Sequence, residues 1–261
     1  MKRVCGGRRG MALAIVLLLA ALPCLAAEDY RAALSEGDAF TQRLDSAGAL
    51  TAYEKAYQID PASFEALEKV TRASIDLGNE MVERKSKDAE RYFREAIQDA
   101  ELMRQKFPNR AESYFYLAAS YGSLSLLKDG KDRVTLGRDV EVNARKAIAI
   151  NPRYAPAYTA LGVFYREVAN LNWLERAFAR RFYGPLPQVT FGDAENMLCK
   201  ALQIDPSSVY THYQLALTYE LAGDRSGEVK TLREMADLTP VNPLEADFKA
   251  EARSKLQQLK G

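Results

Sequence analysis

The sequence predicts an all-α protein built as a row of helical hairpins and closed by a capping helix at its C-terminus. Three observations predict it. Prolines recur behind a common helix-ending motif at Ile59-Asp60-Pro61, Ile150-Asn151-Pro152 and Ile204-Asp205-Pro206, with Phe107-Pro108 and Thr239-Pro240 in equivalent places. Small residues and aromatics recur at matched distances from those prolines. Between them the apolar residues follow the 3.6-residue helical period. An ordinary amphipathic bundle would account for the period alone.

The first 27 residues stand apart from the fold. Lys2, Arg3, Arg8 and Arg9 give a cationic start, Met11 to Leu22 run without a polar residue, and Pro23-Cys24-Leu25-Ala26-Ala27 ends on small residues. That order is the plan of a signal peptide, and the apolar run is shorter than the roughly 20 residues a spanning helix needs. Cleavage after Ala26 or Ala27 is expected, which places the protein in an exported compartment, a periplasm in the first instance. Pro23 directly before Cys24 speaks against cleavage and lipid anchoring at that cysteine.

Removal of the leader leaves 32 basic and 35 acidic groups, a net charge near −3. No basic face of the kind nucleic acid needs is indicated. One cysteine remains, Cys199, so no internal disulfide can form and helix packing must supply the stability.

Taking the elements in order, Gly37 and Phe40 mark the first helix of hairpin one, and Ala49-Tyr53-Ala56 the second. After Pro108 come Tyr114, Leu117, Ala118 and Tyr121; after Pro152 come Tyr158, Leu161, Gly162 and Tyr165; after Pro206 come His212, Leu215, Ala216 and Tyr219. The offsets from proline are the same in all three. Ala194-Leu198-Ala201 repeats the second-helix half. Small residues let two helices approach closely while aromatics fill the space between hairpins. This pattern resembles the tetratricopeptide repeat, and the resemblance implies a right-handed superhelical array of about five hairpins over residues 28–261. Proline is tolerated in the first helical turn and Asp or Asn before it can cap, so each Asp/Asn-Pro reads as a hairpin junction.

The intervals between prolines are 47, 44, 54 and 34 residues, so only the last has the standard period. The surplus falls near 79–88, 128–139 and 170–193. Asn79–Asp88 is charged and reads as a solvated helix extension. Lys128–Asp139, with Gly130 and Gly137, reads as a loop. Leu244–Leu259 is amphipathic and supplies the capping helix that terminal repeats require.

Chemistry finds little foothold. The leaderless chain has one histidine, His212, in a packing position, and zinc sites need several His or Cys ligands. Cys199 and His212 fall on neighbouring helices, where a Cys–His pair is conceivable, yet no third group accompanies them. Phosphate loops, serine elbows and calcium loops are missing. No catalytic residue, metal or cofactor is expected, and the chain reads as a non-enzyme.

Arrays of this kind bind on the concave face, lined by the first helix of each hairpin. Register places Arg31, Leu34, Asp38 and Thr41, then Glu65, Glu68, Arg72 and Ile75, then Glu112, Phe115, Ala119 and Gly122, then Pro156, Thr159, Val163 and Arg166, and finally Tyr210, Tyr213, Leu217 and Glu220 on that face. Its C-terminal half is apolar and aromatic, suited to a peptide, a partner helix or a lipid chain. The competing possibility is that an insertion or the C-terminal helix folds into the groove and fills it. The insertion from Leu171 to Asp193 opens as an amphipathic helix with Leu171, Leu174, Phe178 and Phe182 on one face and Arg176, Arg180 and Arg181 elsewhere. A basic helix with a tryptophan, here Trp173, can lie at a membrane surface; more often its apolar side packs onto its own protein.

The stretch Leu171-Asn172-Trp173-Leu174-Glu175-Arg176, then Phe182-Tyr183-Gly184-Pro185-Leu186-Pro187 and Thr190-Phe191-Gly192-Asp193-Ala194, resembles the regulator of microtubule dynamics family and its bacterial relatives. The resemblance covers roughly residues 110–240. It implies a helical-repeat domain that in animal members works at membranes, with lipid handling in some. The cleavable leader and the lack of an evident anchor depart from those members, and microtubule binding is not carried over.

The leading expectation is a scaffold that docks a protein or peptide on the concave face, at Phe115, Ala119, Thr159, Val163, Arg166, Tyr210, Tyr213 and Leu217 with Trp173 beside them. A carrier of a lipid or other apolar small molecule in the same groove is the alternative. Membrane association is permitted by either and required by neither; nucleic acid is not an expected partner.

Overall fold

The structure is a computed structural model that describes residues 27–259. The leader expected at the N-terminus falls on residues outside that span, apart from Ala27. Among the described residues there are twelve α-helices and no strand: α1 (27–42), α2 (Ser46–Ile59), α3 (Phe64–Glu83), α4 (Ala89–Lys106), α5 (Ala111–Ser125), α6 (Gly130–Ile150), α7 (Ala155–Asn170), α8 (Trp173–Phe182), α9 (Phe191–Ile204), α10 (Val209–Ala222), α11 (Arg225–Ala236) and α12 (Pro243–Gln258). They pair as α1–α2, α3–α4, α5–α6, α7–α9 and α10–α11, with α8 inserted into the fourth hairpin and α12 closing the row. The first helices also touch in succession, α3 on α5, α5 on α7 and α7 on α10, as a superhelical array requires.

The matched small residues do what their spacing implied. A Cβ on Gly37 would lie 2.3 Å from the Tyr53 ring, and one on Gly162 only 2.7 Å from Leu198 Cγ. Ala56, Leu198, Ala194, Ala201, Leu117 and Ala118 are essentially sealed from water. The hairpins are held by tight contact of small residues on large ones, where close packing sets the energy.

The junctions work differently from the expected cap. Pro61, Pro152 and Pro206 each sit in a turn three residues before the first residue of the next helix, outside its first turn. The preceding side chain closes a local turn instead. Asp60 Oδ1 accepts from Ala62 N, Asn151 Oδ1 from Arg153 N and Asp205 Oδ1 from Ser207 N, each at 3.0 Å. Helix capping passes to later residues: Ser63 Oγ accepts from Ala66 N and Ser208 Oγ from Thr211 N, both at 3.1 Å.

Two insertions also differ from expectation. Lys128–Asp139 is not a loop, because α6 begins at Gly130 and runs through it. Gly130 takes φ +55° at the bend into the helix, and Gly137 lies against Phe164, which a Cβ would meet at 3.1 Å. Both glycines thus serve a bend and a close contact. In 79–88 the helix continues to Glu83, after which Arg84–Asp88 form the turn into α4.

Candidate functional site

Inward-facing side chains of α1 and α3 meet the start of α12 around a recess of about 320 Å3. Its walls include Asp38 and Thr41 from α1, Tyr53 from α2, Lys69, Arg72 and Asp76 from α3, and Asn242 at the head of α12. Asp38, Thr41 and Arg72 are positions that helical register had placed on the concave face. Lys69, Asp76 and Asn242 were not singled out. Lys69 and Asp76 flank Arg72 at offsets of three and four, which the one-residue-per-turn reading passed over.

The recess carries charge of both signs. Lys69 Nζ donates to Asp38 Oδ1 at 2.6 Å, and Tyr53 Oη donates to the same oxygen at 2.7 Å. Burial would raise the Asp38 carboxyl, but these two hydrogen bonds hold it below its ordinary value. Arg72 Nε donates to Tyr116 Oη at 3.1 Å, and Tyr116 Oη donates to Glu68 Oε1 at 3.3 Å. The guanidinium itself stays open to water. Asp76 is pushed up to about 7, chiefly by loss of hydration and further by Glu245 and Glu80, against the pull of Arg72.

The ends of the inner row meet at this recess. Asn242 Oδ1 caps α12 by accepting from Glu245 N at 2.9 Å, while its Nδ2 donates to Asp76 Oδ1 at 3.4 Å. The buried Glu245 carboxylate accepts from Val241 N at 2.9 Å and from Tyr210 N in the first turn of α10 at 3.1 Å. That turn has backbone N–H groups without helical partners and a positive dipole end, so a carboxylate fits there.

The residues expected to line an apolar groove are brought only partly together. Tyr213 is buried, stacked on Phe248 of α12 with ring centroids 3.9 Å apart, and its hydroxyl donates to Glu251 Oε2 at 2.7 Å. Leu217 joins the same cluster, and the Tyr210 ring lies 6.1 Å from Phe248. Thr159 is buried against Thr211 at 2.9 Å, and Arg166 Nη1 donates to Gln214 Oε1 at 2.6 Å, so both sit in the α7–α10 contact. Phe115 packs edge-on against Tyr116 and Tyr154; Ala119 and Val163 are half-buried. Trp173 stands apart, 79% exposed on the outside of α8.

Nucleophilic chemistry is not assembled at Cys199 and His212. The His212 Nδ1 is engaged with Ser208 O at 2.8 Å, and burial with Glu195 nearby raises the Cys199 thiol, away from a reactive thiolate. Among the described residues no group of three or more His, Cys, Asp or Glu side chains could hold a metal ion, and no helix is long and apolar enough to cross a membrane.

Residues 33–260 match the family model described as Regulator of microtubule dynamics protein 1-3. The chain belongs to that family. The match extends well beyond residues 110–240, over which the sequence showed the resemblance. Among the family's relatives, regulator of microtubule dynamics protein 3 of Xenopus laevis is 31% identical over 148 residues, covering 56% of this chain and 32% of the relative. Regulator of microtubule dynamics protein 1 of Bos taurus is 23% identical over 160 residues, covering 59% of this chain and 50% of the relative. The chain thus spans a third to a half of the length of these relatives. A thermophilic TPR protein of Thermus thermophilus has a similar fold, with a TM-score of 0.65 at 20% identity over 87% of this chain and 99% of that one.

Proposed function

We propose that this chain is a non-enzymatic, exported docking module that holds a segment of a partner protein across its concave face. The recess between α1, α3 and the head of α12 is the observation that carries the reading. Its exposed Arg72 stands beside the half-buried Lys69–Asp38 ion pair, which sets donors and acceptors side by side, as the alternating amide and carbonyl groups of an extended segment require. Export rests on the leader-like order of residues 1–27, and a periplasm is the proposed compartment. The relatives' names speak of microtubule dynamics, which is said of those proteins and not transferred here.

A lipid or other apolar small molecule is the alternative occupant. It is disfavoured because Tyr213 already stacks on Phe248, Thr159 and Arg166 are spent on α10, and the recess is walled by none of Phe115, Val163 and Leu217. The test is a peptide array probed with the purified protein, followed by fluorescence anisotropy on the selected peptides. Arg72→Glu is expected to weaken binding about tenfold or more, the scale of one lost charged contact. Equal affinity in the variant, or a lipid-sized adduct retained by native mass spectrometry in its place, overturns the reading.

A further inference from the structure

Outside the concave face, α8 presents its apolar side to water. The usual fate of such a helix, packing that side onto its own protein, is not what happens. Only Ala179 of α8 is buried, with Arg176 half-buried beside it and donating to Val168 O and Ala169 O. The helix is held to the array through that narrow strip, by contact with α6, and by Arg138 donating to Tyr183 O. The opposite arc carries Trp173, Leu174, Phe178 and Phe182, exposed 79%, 61%, 49% and 62%. Phe178 and Phe182 lie against each other with centroids 4.6 Å apart; Leu174 shares their face at helical spacing, and Trp173, about 100° round the helix from Leu174, stands at the edge of it. Four large apolar side chains in one short surface helix are far more than scattered exposure, and a patch of this kind marks an interaction site.

Charge identifies the occupant. Arg180 borders the patch and Arg181 falls within its arc at the C-terminal end of the helix; both are exposed, and neither joins an ion pair among the described residues. The Arg181 guanidinium lies 5.7 Å from the Phe182 ring, so cation and apolar face are presented together. Glu175, the acidic member of α8, is spent on the capping box with Asn172. A helix of 10 residues is only about 15 Å long, and it is convex. It offers no groove in which a partner chain could lie. An anionic lipid surface has no such requirement: it takes Trp, Leu and Phe side chains at the headgroup boundary and pairs guanidinium groups with phosphates.

We propose that α8 is a membrane-surface docking element, inserting Trp173, Leu174, Phe178 and Phe182 into the headgroup boundary of an anionic bilayer with Arg180 and Arg181 on its phosphates. This surface is separate from the concave recess and does not depend on the docking role proposed above.

Trp173 is the chain's single tryptophan, so its fluorescence reports α8 alone in the intact protein. With phosphatidylglycerol–phosphatidylcholine vesicles its emission is expected to shift to the blue, and its quenching by iodide to fall at least twofold. Leu174→Ser with Phe182→Ser is expected to abolish both changes. These side chains are already exposed, so unchanged circular dichroism and melting will show that the variant folds. Arg180→Glu with Arg181→Glu is expected to lower the partition constant about tenfold or more. A tryptophan that stays as accessible to iodide with vesicles as without overturns the proposal, even if the chain sediments with them, because sedimentation would then arise elsewhere in the protein. Equal partition into phosphatidylcholine alone overturns the assignment to anionic lipid.

Discussion

Gly162 shows how much of this fold is decided by single atoms. In a helix interior, replacing glycine by alanine ordinarily stabilises by roughly 0.5–1 kcal/mol. Here the new Cβ would sit 2.7 Å from Leu198 Cγ and 3.2 Å from the Ala194 carbonyl oxygen. Leu198 is fully buried and has nowhere to go, and overpacking costs about 1–3 kcal/mol. The clash wins, so Gly162→Ala is expected to destabilise by about 1–2 kcal/mol in denaturant titration, with the loss largely relieved when Leu198→Ala is added. An increase in stability on Gly162→Ala would show that α7 and α9 separate easily. Residue-scale features of this sort were legible in the sequence, because Ala118 and Ala216 stand at the same offset from proline as Gly162 and their recurrence marks a close contact. The hydrogen bond between Asn242 and Asp76 was not legible, since it joins residues 166 apart and neither belongs to a repeated position.

At the scale of elements, α12 is the helix whose docking answers to pH. Its head lies over Asp76 and its next turn puts Asp247 beside Glu83 of α3. The titratable groups facing Asp76 are Arg72 and Glu80 from α3 and Glu245 from α12. The Asp76 carboxyl is raised from an ordinary 3.8 to about 7. A raised acid keeps its proton longer in the folded protein than in the unfolded chain. Its contribution is therefore fully present below the ordinary carboxylate range and lost as pH rises through about 7. The expected effect is about 1 kcal/mol, well under the bare linkage value, because the carboxyl keeps some contact with solvent. Amide exchange in α12, corrected for intrinsic chemistry, is expected to speed up several-fold between about pH 5.5 and pH 8, and Asp76→Asn is expected to remove most of that change. A pH-independent α12 would mean that Glu245 on the α10 terminus and the Tyr213–Phe248 stack hold the helix unaided. Element-scale reading from sequence met its limit at α6 and α8. Two glycines suggested a loop where they in fact serve a bend and a contact with Phe164. The amphipathic face of α8 was visible, but its direction depends on Ala179, the one residue the array buries.

For the whole molecule, the question is whether hairpins that touch only their neighbours behave as a row or as a closed body. A row loses stability from the end that is cut, because each unit is supported by the next. Contacts between α12 and α3 join the last element to the second hairpin and offer a route to closure. Those contacts are polar and partly between like charges, whereas α12 meets α10 and α11 through Phe248, Ala252, Leu256 and Leu259 around Tyr213 and Leu232. Apolar burial of this kind is worth about 25 cal/mol per Å2, far more than an exposed polar link. The balance favours row behaviour. A chain ending at Thr239 is therefore expected to lose protection from hydrogen exchange in α10 and α11, where Tyr213 and Leu232 become exposed, while α1 to α6 keep theirs within a few-fold. It is also expected to bind more of a hydrophobic dye than the intact protein, whose apolar patch on α8 is unchanged by the cut. Uniform loss of protection from α1 to α11 would instead show that the α3–α12 contact locks the array into one cooperative unit.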